Sequence, residues 1–523
     1  MNNLHGENPE KLFKEAVSGR HEEIQCPPRV WEIKIGRKRL TGRWIAEGFV
    51  REKQGLSVEE VPEACFNHLV RRKIIRPVEY SSNGKVKNCQ VHDMVLEHIT
   101  FKASEENFVS VVGGHWLMPP PNSKVRRLSL QSRYSKRDNA MDSMNISHVR
   151  SLTMFGSLNL LPSNSFKFGV VQVLDLQGCK GFKQQHVKEI CKMVLIKYLS
   201  LRRTDIKTLP KNMESYKTLD VRETSVTKLP TSVCQLERLV NILGGDKRTR
   251  KALKFPYELK KSMNTLQILS GIEIGGVSTA AADFQHLTDL RKLAIYKLNV
   301  KRSANLSKDL RSSVEYLGGY SLHNLVIGED DSSEFPETLN CLSPPPLFLT
   351  SLQLYGKLVA LPGWITQMDC LTKLALPVTI LKTENLECLR RLPSLFSLTF
   401  SHPEAKLSPQ PSTTMEENRT NPSEDILAPA GGFNKLKLLR IFTPTLSSLR
   451  LPEEAMPNLE RIELRFNTME GLSGIQNLKF LKEVHLRVHY TGSVLTMSIV
   501  ENIAAAAKRQ DKGPRIIVEK YYA

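Results

Sequence analysis

Residues 171–201 read VQVLDLQGCKGFKQQHVKEICKMVLIKYLSL, and the stretch opens and closes on the same six-residue pattern: an apolar residue, two variable positions, leucine, one variable position, leucine. Alternation at the end of each unit is that of a short strand with one buried face. The segment between the two units is long enough to carry the chain back and lay the second strand beside the first. The unit recurs outward in both directions: VRRLSL (125–130), VRSLTM (149–154), YKTLDV (216–221), LRKLAI (290–295), LHNLVI (322–327), LTSLQL (349–354), LTKLAL (371–376), LFSLTF (395–400), LKLLRI (436–441), LERIEL (459–464) and LKEVHL (481–486). Successive starts differ mostly by 20 to 25 residues.

That period is leucine-rich-repeat spacing. One unit cannot bury its leucines alone, so the repeats must stack into a solenoid whose strands form one curved parallel sheet. Between strands, IKTLPKNM (206–213) and VTKLPTSV (226–233) repeat a Leu-Pro step that turns the chain onto the convex side. The unit at Tyr216 follows its predecessor by only 20 residues, and NMESYKTLDV (212–221) reads as shortened, with a local distortion expected there. Residues 401–432, rich in Pro, Ser, Thr, Asn and Glu, read as a flexible insertion. The C-terminal GPRIIVEKYYA (513–523) supplies one more strand to cover the end of the array. The basic clusters LRRT (201–204) and GGDKRTRKALK (244–254) read as solvated faces, because no aromatic residues are interleaved with them as a nucleic-acid stacking surface requires.

Upstream of the repeats the period changes. IGRKRLTGRWIAEGFV (35–50) carries Leu40, Trp44, Ile45, Phe49 and Val50 at helical spacing and predicts a helix ending near Gly48. Ser57 and Glu60 have the spacing of a capping box, followed by Val61, Cys65, Phe66, Leu69 and Val70 as the buried stripe of a second helix that tolerates Pro62 in its first turns. Two extended runs flank Asn83-Gly84, a pair suited to a tight hairpin turn. A further helix begins after Val91, His92 and Asp93, with Asp93 placed to cap it. Two helices followed by a hairpin make a winged-helix module. The fold class is therefore α/β: a small winged-helix domain at 35–110 followed by a leucine-rich-repeat solenoid at 111–523.

His92-Asp93 could be a metal site, a catalytic pair or a strand-to-helix corner. His92 and His98 are six residues apart and off a common helical face, which disfavours metal. No nucleophile elbow accompanies the pair, which disfavours hydrolysis. The segments RWIAEGFV (43–50), EEVPEACFNHLVRRKIIRPVE (59–79) and KVKNCQVHDMVLEHI (85–99) together resemble the winged-helix domain of plant nucleotide-binding leucine-rich-repeat immune receptors, in a grass-like version. In that family a Met-His-Asp motif falls on Val91, His92 and Asp93, and the resemblance implies that His92 would face the phosphates of ADP while Asp93 holds the corner. Residues 7–32 resemble a late part of the family's nucleotide-binding domain, so residues 1–34 are expected to be a poorly packed remnant. The glycine-rich phosphate loop that would hold ADP or ATP does not occur in the sequence. The expectation is a truncated receptor without a cofactor, in which the motif is idle.

The resemblance implies a non-enzymatic recognition protein, and composition bears on which partners it meets. Lys plus Arg outnumber Asp plus Glu by 74 to 54, a net charge of +20 that attracts acidic partners. The alternatives are a nonfunctional receptor fragment, and nucleic-acid binding through the winged helix and basic surface, which is weakened by Glu59, Glu60 and Glu63 along the second helix. Nine scattered cysteines lack metal-ligand spacing and suit a reducing compartment. No apolar run spans a bilayer and no signal segment opens the chain. The resemblance implies a cytoplasmic protein, with the nucleus as an alternative, whose repeats recognise a pathogen effector or a host protein, or which partners an intact receptor.

Overall fold

The structure, a computed structural model, describes residues 34–50, 60–81, 84–112, 124–131, 146–158, 169–211, 213, 216–256, 263–275, 280–299, 305–329, 340–356, 358–402, 425–490, 494–508 and 513–521. The expectations for residues 1–33, for Ser57 and for Asn83 fall outside these.

The winged helix is built from β1 (Ile35–Gly36), α1 (Arg37–Glu47), α2 (Glu60–Arg71), β2 (Ile75–Tyr80), β3 (Val86–Val91) and α3 (Asp93–Glu105). Its sheet has the order β1-β3-β2, with both neighbours of β3 antiparallel. Helix α1 stops at Gly48, whose φ of 75° is a left-handed conformation that glycine adopts without strain. Phe66, Ile75 and Cys89 form the buried centre, with Leu40, Trp44 and Leu69 packed around it. Cys65, expected inside, is exposed. Asp93 is not the cap: the cap position is His92, with extended backbone and no side-chain cap bond, and Asp93 is the first helical residue. Its charge instead favours the positive end of the α3 dipole.

Each of the thirteen repeat units yields a strand that begins two residues into the unit, from Arg127–Gln131 to Glu483–His489, and each pairs in parallel with the next repeat. The unit leucines face inward. Leu174, Leu176, Leu199 and Leu201 are fully buried, and the same core runs from Val112 to Ile503. Burying each such side chain contributes about 1.5–3 kcal/mol, so the array is held by stacking rather than by any single unit.

The strand Thr218–Asp220 pairs with Tyr198–Ser200 without a register shift, and of the segment 212–221 where a distortion is expected, residues 212, 214 and 215 lie outside the described residues. Tyr216 replaces the leading leucine and its hydroxyl donates to the Cys191 carbonyl at 3.1 Å. The repeat pattern did not show two further strands, Asn241–Leu243, which pairs in register, and Ile268–Gly275, where the ladder is irregular. Their units, LVNILG and LQILSG, end in Gly244 and Gly271 where the others end in an apolar side chain. Gly271 has φ +84°, and a Cβ there would lie 1.9 Å from the Gly244 carbonyl oxygen. Glycine is required by this close approach, and the ladder shifts register between Ser270 and Ile272.

The insertion ends earlier than expected. Residues 403–424 lie outside the described set, but Ile426–Leu427 is a strand paired with Leu449–Arg450, and Ile426 and Ala428 are buried in the solenoid. The C-terminal segment forms the strand Arg515–Tyr521, parallel to Glu483–His489.

Candidate functional site

Helix α1 has two working faces. Leu40 and Trp44 pack into the winged helix, whereas its buried residues include Thr41 and Ala46, which lie off that apolar stripe. Ala46 packs against Val173 and Tyr198 of two neighbouring repeat strands. Beside it, Arg39 and Arg43, one helical turn apart, converge on Asp175. Arg39 Nε donates to Asp175 Oδ2 at 2.7 Å, and Arg43 Nη1 stands 3.7 Å from the same oxygen. A second Arg43 nitrogen donates to Thr153 Oγ1 at 2.7 Å. At the end of the helix, Glu47 accepts from Arg127 Nε at 2.7 Å, and the Arg127 guanidinium lies over the rings of Phe49 and Phe108.

Asp175 is fully buried. Two guanidinium groups face this buried carboxylate, and removing one side of such a pair costs about 3–5 kcal/mol. Burial, followed by the fields of Asp175 and Asp220, raises the Tyr198 hydroxyl pKa, so its ring is held here as a neutral packing surface.

Farther along the array, Gly84 at the wing turn lies against Phe396. The strands that hold Asp175 and Ser397–Ser401 are nine steps apart in the ladder. At ~4.8 Å per step the path along the sheet is about 43 Å. A 70-residue module is roughly 25–30 Å across. Both contacts can form because the sheet curves around the winged helix, which therefore occupies its inner face.

Two readings of the basic clusters change. Arg202 and Arg203 both bind Glu223 rather than water alone. In the second cluster, Lys247 Nζ donates to Gln353 Oε1 at 3.0 Å and the Arg250 guanidinium lies 4.0 Å from the centre of the Tyr355 ring. The aromatic partner comes from a repeat a hundred residues away, which local sequence could not display.

Val91, His92 and Asp93 stand apart from this contact. Val91 pairs with Ile75 and packs on the winged-helix core, while His92 and Asp93 are exposed. His92, at the cap position of α3, makes no side-chain cap bond. No cluster of His, Cys, Asp and Glu suited to a metal ion occurs among the described residues. No described helix is long and apolar enough to cross a membrane. Burial pushes the thiols of Cys179 and Cys191 up to about 12 and about 11, which makes them packing residues rather than nucleophiles.

The functional residues that the sequence did not single out are Asp175, Arg39 and Arg43. The signal available for them was an acid at the fifth position of VQVLDL and again of YKTLDV, a position that faces away from the leucine core, in a chain with an excess of basic residues.

Comparison with known proteins places the arrangement. The family model for a leucine-rich repeat region matches residues 148–513, and that for a disease resistance protein winged helix domain matches residues 31–99. The chain belongs to the leucine-rich-repeat disease resistance proteins. Relatives in Oryza sativa subsp. japonica include disease resistance protein Pik-2, 47% identical over 528 residues and covering 94% of this chain and 51% of its own length. PIK6-NP is 48% identical over the same 94% of the chain. Disease resistance protein RGA4 is 31% identical across 93% of this chain and 47% of its own length. This disease resistance chain thus spans about half the length of the curated relatives it matches. Those matches cover the winged helix and the repeats together, so the Asp175 contact lies within the part shared with them.

Proposed function

We propose that the chain serves plant innate immunity as a non-enzymatic recognition protein. Its repeats bind a pathogen effector or a host partner, and the winged helix reports occupancy. The observation that supports this reading is the contact of Arg39 and Arg43 with the buried Asp175. A partner entering the inner face competes with the winged helix for the same surface, and leaving it exposes a charge that the docked state compensates. The Val91-His92-Asp93 corner is idle in this chain alone, which binds no ADP or ATP without further segments. The compartment is the cytoplasm, with access to the nucleus open. An intact receptor of the same family is a second class of partner.

The test is an interaction screen with the chain as bait, run in parallel with the variant Asp175→Asn. The reading predicts partners captured more strongly by the variant, because its inner face is released. Partners captured equally by both would argue against competition with the winged helix. Nucleic-acid binding is disfavoured by the acidic start of α2, where Glu60 and Glu63 stand and Glu63 is already held by Arg37. Duplex DNA binding that weakens steeply with salt would revive it.

A further inference from the structure

The inner face carries a second group of charges that the winged-helix contact does not use. Lys292 and Lys373 occupy the same row of the sheet, joined through Asn324 and Ser351 on the two strands between them. The next row, Ala294, Val326, Gln353, Ala375 and Thr399, contains no carboxylate. Lys247 reaches into this row from a loop and donates to Gln353 Oε1, which also accepts the Tyr355 hydroxyl at 3.0 Å. The nearby acids are taken: Asp220 by Arg222, Glu463 by Arg440, and Glu79 on the wing by Lys87. Among the described residues, the side-chain ammonium groups of Lys292 and Lys373 have neither a carboxylate partner nor a hydrogen bond, although their backbone N–H groups donate to Gln267 and Thr350.

We propose that Lys247, Lys292 and Lys373 form a site for a small polyphosphate anion on the inner face of the solenoid, beneath the wing. Lys247 from a loop and Lys292 and Lys373, three ladder steps or about 14 Å apart along the sheet, offer several charges to one polyphosphate, and neutral Asn324, Ser351, Gln353 and Tyr355 can hydrogen-bond its remaining oxygens. Burial, and after it the charges of Lys38, Lys247 and Arg222, lowers Lys292 to about 7. Burial, and after it Lys247, Arg440, Lys292 and Lys87, lowers Lys373 to about 6. Lys247 is lowered by burial against an opposing effect of Tyr296, with Lys87, Arg440 and Arg250 adding to the shift. Mutual repulsion without a counter-charge is the state that a bound polyanion relieves, and its binding must draw protons onto these lysines. The site is independent of the immune reading, since it requires only the described chain.

Titration calorimetry of the full chain with tripolyphosphate and with inorganic phosphate, in two buffers of different ionisation enthalpy near pH 7.5, tests it. The expected result is one tripolyphosphate per chain, at least tenfold tighter than phosphate, with net proton uptake. The double variant Lys292→Met and Lys373→Met, checked for folding by circular dichroism, should weaken binding at least tenfold and abolish the uptake, whereas Lys479→Met on another repeat should change neither. Absence of tripolyphosphate binding at low salt, binding unchanged in the double variant, or binding of an acidic peptide alone would overturn the assignment.

Discussion

Along one inner face, two groups of strands treat charge in opposite ways. At residues 151–175 a buried aspartate is compensated by two arginines from the winged helix, Arg39 through a hydrogen bond and Arg43 as an ion pair that also bonds Thr153. At residues 292–377 two lysines share a row of neutral side chains and have no counter-charge. The first region is finished by a neighbouring domain of the same chain. The second is left unfinished in charge, although the same parallel ladder runs beneath it. A repeat sheet supplies the same scaffold at every step, so what differs is the variable position between the leucines.

Breaking the finished region should have the largest effect. Asp175→Ala leaves Arg39 and Arg43 uncompensated and is expected to destabilise the docked winged helix by about 3–5 kcal/mol, measured as a lower denaturation midpoint. The unfinished region should respond in the other direction. Lys292→Met with Lys373→Met removes like-charge repulsion and should raise stability, on the order of 1 kcal/mol once solvent screening is allowed for. Its pH dependence has a defined sign. Both lysines titrate in the folded chain below their ordinary value of 10.5, at about 7 and about 6, so the unfolded chain binds more protons between about pH 6 and pH 10. Their contribution to stability therefore rises with pH across that window in the wild type, and the rise should shrink in the double variant.

Smaller changes sharpen the comparison. Glu47→Ala, which frees Arg127 but leaves its contacts with Phe49 and Phe108, should cost about 1 kcal/mol by thermal unfolding. Asp93→Ala removes only a charge at the start of α3 and should cost about 0.3–1 kcal/mol by the same measurement.

The positions legible in the sequence were those fixed by local rules. Leucine spacing located thirteen strands because burial imposes it on every repeat, and Gly48 marked the end of α1 because few other residues adopt its left-handed backbone. The pattern lost Asn241–Leu243 and Ile268–Gly275 where Gly244 and Gly271 replace the last apolar residue, since close backbone approach outweighs one more buried side chain there. Asp93 had the composition of a cap but sits one residue inside the helix. The site was less legible than the fold. Asp175 and its arginines are separated by more than 130 residues, and Tyr355 reaches the 244–254 cluster from another repeat. Only the curvature of the sheet brings these groups together.

The central claim is that the winged helix is held on the inner face through Asp175. Hydrogen exchange of the full chain, comparing wild type with Asp175→Asn, measures this most directly. Arg37–Glu47 and the strand Tyr198–Ser200 should lose protection in the variant while Glu483–His489 keeps it. Equal protection of Arg37–Glu47 in both proteins would contradict the account.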